Sequence, residues 1–136
     1  YCKKESLIKD NQYKTDEGEY VDAERGIVFW SLPDILIINL KRWNHLNGNK
    51  INTNVNTPLT NINLSKYVTG YNKESYVYNL YGVCNHHGNS LGGHYVACVK
   101  NANGKWYGFN DTQVEECNES NVVSSNNYCL FYRKIK

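Results

Sequence analysis

Asn103-Gly104 is the strongest short turn signal in the chain, because Asn-Gly is a preferred centre for a tight β-hairpin. It stands between Val96-Ala97-Cys98-Val99 and Trp106-Tyr107-Gly108-Phe109, apolar and aromatic runs that suit two antiparallel strands. Tyr76 to Asn85 has the composition and length of a central strand, and a glycine-bearing loop, His87 to Gly93, feeds it into the strand His94 to Lys100. Tyr128-Cys129-Leu130-Phe131-Tyr132 reads as the last strand. Ile35 to Trp43 has the near-continuous apolar character of a strand buried on both faces, joined at Leu32-Pro33 to one ending in Ile27-Val28-Phe29-Trp30. Asn44 to Asn56 is a polar loop with a turn at Asn47-Gly48. No helical periodicity extends beyond one or two turns. The expectation is an α+β domain that is mainly antiparallel β in this piece: one strongly twisted sheet over residues 20–136, preceded by a polar arm over 1–19.

With 136 residues, the chain suits one domain. It opens at Tyr1 and contains no methionine, so it is expected to be a piece of a longer protein. The 15 basic and 13 acidic residues nearly balance, and no block of like charge marks a nucleic-acid arm. The longest apolar run, Ile35 to Ile38, falls far short of the roughly 18 residues of a membrane span. Neither nucleic acid nor a membrane is therefore an expected partner. The five cysteines are odd in number and never paired as C-x-x-C. They read as reduced thiols, mostly small buried hydrophobes, in an intracellular compartment, cytoplasmic or nuclear.

Three of the four histidines, His86, His87 and His94, fall within nine residues, with Gly88, Gly92 and Gly93 among them. Paired glycines before a histidine permit a positive φ or the close approach of another backbone, such as a bound substrate. The plain alternative is a hairpin loop ending in a surface histidine. A hairpin loop of Asn101 to Gly104 sets Lys100 against Lys105 and His94 opposite Asp111, and a register shifted by one residue sets His94 opposite Asn110. Either way an acid or an amide comes within reach of the imidazole. That is the base and the orienting residue of a nucleophilic triad without its nucleophile. Cys98 is about 13 Å along the strand from His94, Cys84 lies in an apolar strand that suppresses thiol reactivity, and Cys2 and Cys117 lack activating neighbours. Metal ligation by His86 and His87 is disfavoured, because adjacent strand residues point to opposite faces. No cofactor is expected.

Six motifs in order carry a resemblance: Ser31 to Trp43, Asn63-Leu64-Ser65-Lys66-Tyr67, Tyr78 to His86, Gly92-Gly93-His94-Tyr95, Trp106-Tyr107-Gly108-Phe109-Asn110-Asp111 and Tyr128 to Tyr132. Together they resemble the C-terminal half of a ubiquitin-specific protease catalytic domain. The resemblance implies the palm-like twisted sheet of a papain-like cysteine peptidase, with the helical, nucleophile-bearing half absent. It implies hydrolysis of the bond after the C-terminal glycine of ubiquitin, with ubiquitin or its conjugates and the upstream half of the same domain as partners. His94 matches the general base, Asn110 the residue that orients it, which favours the shifted register, and Asp111 an assisting polar position. Trp43, Gly93 and Tyr95 match residues lining the channel for the ubiquitin tail, with His86 at its edge. The loop His87 to Leu91 matches a mobile segment covering that tail. Residues 1–19 would then be an arm or a remnant of the fingers region. The family's zinc ribbon would place two cysteines shortly before Ala23, where Lys14 and Glu17 stand instead, so no metal is expected. The alternative is a non-catalytic ubiquitin-binding or scaffold module.

Overall fold

A computed structural model describes residues 1–71 and 75–135. They fall into two compact units, one formed by Tyr1–Leu32 and the stretch from Leu64, the other by Pro33–Asn63 and the chain from Ser75 on. In the first unit β1 (Glu5–Leu7) pairs with β4 (Ala23–Arg25), and β2 (Tyr13–Lys14) with β3 (Tyr20–Val21), both antiparallel. Single 3-10 turns occupy Lys9–Asn11 and Ser65–Tyr67. The strand expected through Ile27-Val28-Phe29-Trp30 is absent. Only Phe29 makes a bridge, to Val68, while Ile27, Val28 and Trp30 are exposed.

The second unit is built on seven antiparallel strands: β5 (Ile35–Asn39), β6 (Ile62–Asn63), β7 (Val77–Asn89), β8 (Gly92–Lys100), β9 (Trp106–Asn110), β10 (Gln113–Cys117) and β11 (Asn127–Lys134). They run in the order β10-β9-β8-β7-β11-β5, with β6 on the early part of β7. A 3-10 turn, Glu119–Asn121, links β10 toward β11. The mainly antiparallel β architecture expected from the sequence is the one observed. Among the described residues no helix is long and apolar enough to cross a membrane.

One face of the sheet carries the core. Val83, Leu130 and Cys98 are cross-strand neighbours and are buried, as are Leu80 and Tyr132 on the same face. The hydroxyls of the two buried tyrosines find acceptors: Tyr78 donates to the Pro33 carbonyl at 2.8 Å and Tyr132 to the Pro58 carbonyl at 2.8 Å. A phenol is tolerated in such a core because its one polar atom is satisfied.

Three further expectations need correction. β5 is an edge strand paired only to β11, and it buries one face, not two: Ile37 is 58% exposed. β7 and β8 are also longer than their apolar runs suggest. They continue through His87 and Gly88 to Asn89 and restart at Gly92, so the expected loop of His87 to Gly93 contracts to a turn at Ser90-Leu91. The Asn89 side chain accepts from the Leu91 and Gly92 amides and closes that turn. Finally, the Asn103-Gly104 hairpin forms, with Gly104 at a φ of 81°, but its loop runs one residue longer, so Lys100 faces Trp106, not Lys105.

Candidate active site

The register correction moves the candidate base away from both anticipated partners. Ladder pairing of β8 with β9 covers Ala97 to Lys100 against Phe109 to Trp106, and His94 lies beyond its last rung. The imidazole nevertheless reaches Asn110 diagonally, with His94 Nε2 donating to Asn110 Oδ1 at 2.5 Å. An amide oxygen can only accept, so the bond uses Nε2–H, and in the neutral ring the Nδ1 lone pair is then free. Half of the His94 side chain is exposed.

Asn110 owes its position to the end of β9. It pairs with Gln113 across a two-residue turn, Asp111-Thr112, in which Asp111 takes a φ of 49°. Aspartate is among the few side chains that tolerate this left-handed conformation. The Asp111 carboxylate stands 3.8 Å from His94 Nε2, beside the imidazole but too far for a hydrogen bond.

Trp43, His86, Gly93 and Tyr95 form a second cluster on the opposite face. Alternation along β8 sends His94 one way and its neighbours Gly93 and Tyr95 the other. The His86 ring packs against Trp43 (centroids 5.5 Å apart) and Tyr95 (4.8 Å), and Tyr128, which the sequence reading missed, completes the group at 6.0 Å from His86. His86 is only 4% exposed and its Nδ1 finds no partner among the described residues. Burial, helped by the nearby charges of Lys50 and His87, holds its pKa below the usual imidazole value. Tyr95, in contrast, is 55% exposed.

The glycines admit both a positive φ and the close approach of another backbone, and that backbone is the facing strand of the β7–β8 hairpin. A Cβ on Gly93 would lie 2.4 Å from His86 Nε2 and 2.4 Å from the His87 carbonyl oxygen, so the space beside Gly93 belongs to β7. Gly88, directly opposite, has a φ of 125°, and a Cβ there would meet the Gly92 oxygen at 2.5 Å. The pair lets β7 and β8 close tightly beneath His94, whose ladder partner is His87.

Two basic residues that were not among the expected site residues support the cluster. Buried Arg42 donates to the carbonyls of Asn127 (2.9 Å), Ile51 (2.9 Å) and Thr53 (2.5 Å), tying the loop after Trp43 to β11. Lys50 donates to the His86 carbonyl and pairs through its backbone with Trp43. The thiols are less suited to reaction. Cys84 and Cys129 are pushed up by burial, and Cys98, buried and hydrogen-bonded to Cys117, is pushed up to about 12. Among the described residues no group of three or more His, Cys, Asp or Glu side chains could hold a metal ion.

The family described as ubiquitin carboxyl-terminal hydrolase matches residues 2–132. Ubiquitin carboxyl-terminal hydrolase 10 of Arabidopsis thaliana is 45% identical over 121 residues, 87% of this chain and 13% of that protein. Ubiquitin carboxyl-terminal hydrolase 43 of Homo sapiens is 35% identical over 164 residues, 98% of this chain and 14% of that protein. Among solved structures, the SAGA Ubp8/Sgf11/Sus1/Sgf73 DUB module bound to ubiquitin aldehyde contains a chain that superposes with a TM-score of 0.82 at 31% identity, covering 99% of this chain and 32% of that one. The chain thus spans only a small part of its curated relatives' length.

Proposed function

The chain belongs to the ubiquitin carboxyl-terminal hydrolase family, and from that premise we propose that it supplies the proton-transfer half of a cysteine-type deubiquitinase. The observation that carries this reading is the 2.5 Å bond from His94 Nε2 to Asn110 Oδ1, which leaves Nδ1 as the proton acceptor.

In the proposed cycle the thiol comes from an upstream segment of the same domain, since Cys98 lies about 13 Å along β8 from His94 and Cys117 is held beside Cys98. His94 Nδ1 takes the thiol proton as sulfur attacks the carbonyl carbon of the terminal glycine of ubiquitin. The imidazolium, oriented by Asn110 with Asp111 as the neighbouring polar group, returns that proton to the departing amine as the carbon–nitrogen bond breaks. Water then attacks the thioester, losing a proton to Nδ1, and the glycine carboxylate leaves as the thiol is reformed. Trp43, His86, Gly93 and Tyr95 line the passage for the Gly-Gly tail, with Tyr95 the exposed member next to the base. Stable association with the upstream half follows, in a reducing cytoplasmic or nuclear setting.

The test is hydrolysis of a fluorogenic ubiquitin amide by the full-length protein and its His94→Ala variant. A loss of about 10²–10⁴-fold in kcat, with ubiquitin still bound, is expected. Full activity in His94→Ala refutes the assignment. Binding without hydrolysis by the parent protein instead identifies a non-catalytic ubiquitin-binding or scaffold module.

A further inference from the structure

Cys98 on β8 and Cys117 on β10 are separated in the sheet by β9, yet their sulfur atoms stand 2.8 Å apart. That is closer than the roughly 3.5–4.0 Å at which carbon atoms rest in contact, and about 0.8 Å longer than a disulfide bond. The local cause lies in β9. Cys98 pairs with Gly108, and Cys117 with Trp106 two residues away, so both thiols stand on the side of the sheet that Gly108 would occupy had it a side chain. A Cβ on Gly108 would meet only the Glu115 carbonyl oxygen, at 3.8 Å, so this side of β9 is open between β8 and β10. Both thiols line a cleft of about 410 Å³, together with Asn85, His87, Asn110 and Glu115. Cys117 is partly exposed and Cys98 is buried, so a small reagent entering the cleft meets Cys117 first.

We propose that Cys98 and Cys117 are a reversible oxidation site that closes to an intramolecular disulfide, separate from the catalytic thiol. With a low-molecular-weight disulfide such as oxidised glutathione, the Cys117 thiolate attacks one glutathione sulfur and releases one glutathione thiolate, which takes up a proton. Cys98 then loses its proton and attacks Cys117 Sγ, breaking the mixed disulfide and releasing the second glutathione thiol. Two protein thiols are oxidised and one glutathione disulfide is reduced. The high pKa of Cys98 makes it the resolving thiol, silent until Cys117 has reacted. The link ties β8, which bears His94, to β10 across β9, which ends in Asn110.

The test equilibrates the reduced full-length protein with mixtures of reduced and oxidised glutathione, alkylates the remaining thiols and maps peptides without reduction. Chymotryptic cleavage after Tyr95, Phe109 and Tyr128 places Cys84, Cys98, Cys117 and Cys129 on separate peptides. The expected product joins the Cys98 and Cys117 peptides with the loss of two hydrogens, and the oxidised protein unfolds at a higher temperature. In Cys98→Ser, glutathione should remain trapped on Cys117. Recovery of both cysteines alkylated in the parent protein overturns the proposal. So does glutathione persisting on Cys117 of the parent, a Cys84–Cys129 link in its place, or an unmodified Cys117 in Cys98→Ser.

Discussion

Gly93→Ala tests the tight closure of β7 on β8 beneath the candidate base. The added Cβ would lie 2.4 Å from His86 Nε2 and 2.4 Å from the His87 carbonyl oxygen, where ordinary contact begins at 3.4 Å, so a displacement of about 1 Å is needed. Swinging the His86 ring relieves one clash but not the other, because the second atom is backbone in the facing strand. Overpacking of this kind costs about 1–3 kcal/mol. The displaced backbone adjoins His94, whose bond to Asn110 is already at 2.5 Å and cannot survive a shift of that size unless the strand end follows. A misplacement of about 1 Å lowers turnover by about 100-fold. Gly92→Ala is the matched control, since nothing lies within 4 Å of a Cβ there, and its stability should stay within about 0.5 kcal/mol of the parent. Urea denaturation measures the first quantity and ubiquitin-amide hydrolysis by the full-length protein the second. A Gly93→Ala protein as stable and active as the parent, or a Gly92→Ala protein equally damaged, refutes the reasoning.

Two further outcomes follow from buried groups. His86 has its pKa lowered in the folded protein by burial, with Lys50 and His87 adding to the effect, so the unfolded chain binds more protons once pH falls to the free imidazole value of about 6.5. The contribution of His86 to stability is therefore full above that pH and declines below it; the parent should lose more thermal stability than His86→Phe between about pH 7.5 and 5.5, and parallel curves would exclude the mechanism. Tyr132→Phe removes the hydroxyl that donates to the Pro58 carbonyl at 2.8 Å and should lower unfolding stability by about 1 kcal/mol, read as a shift in the urea midpoint with unchanged slope; no shift would mean that the bond adds nothing net.

The parts of the fold visible in the sequence are those where local pattern and tertiary role agree. The Asn103-Gly104 turn, the apolar centre of β7 and the start of β11 each announce themselves within a few residues. β10 does not: Gln113-Val114-Glu115-Glu116-Cys117 is an edge strand, and exposed edges are commonly charged, which erases the apolar alternation that marks a strand. The opposite error occurs at β5, where a run of four aliphatic residues suggests two buried faces although Ile37 faces outward. The His94–Asn110 neighbourhood was legible because one hairpin encodes it. Its exact rung was not, since one extra loop residue slips the ladder. Cysteine spacing showed no pairs because Cys98 meets Cys117, and Cys84 faces Cys129, only through the strand order β10-β9-β8-β7-β11.

The alternation of β8 gives three consecutive residues two separate duties. Gly93 and Tyr95 face His86, Trp43 and Tyr128, while His94 faces Asn110. Residues 93–95 are laddered to β7 alone, and a strand cannot shift one face without the other, so the packing of His86 sets the height of the base above its amide partner. Filling the space beside Gly93 should therefore be felt at His94 even though the two side chains never touch. A substitution confined to the exposed rim of the aromatic cluster, such as Tyr95→Phe, leaves the pairing with β7 in place. It should alter what occupies that face without disturbing the orientation of the imidazole.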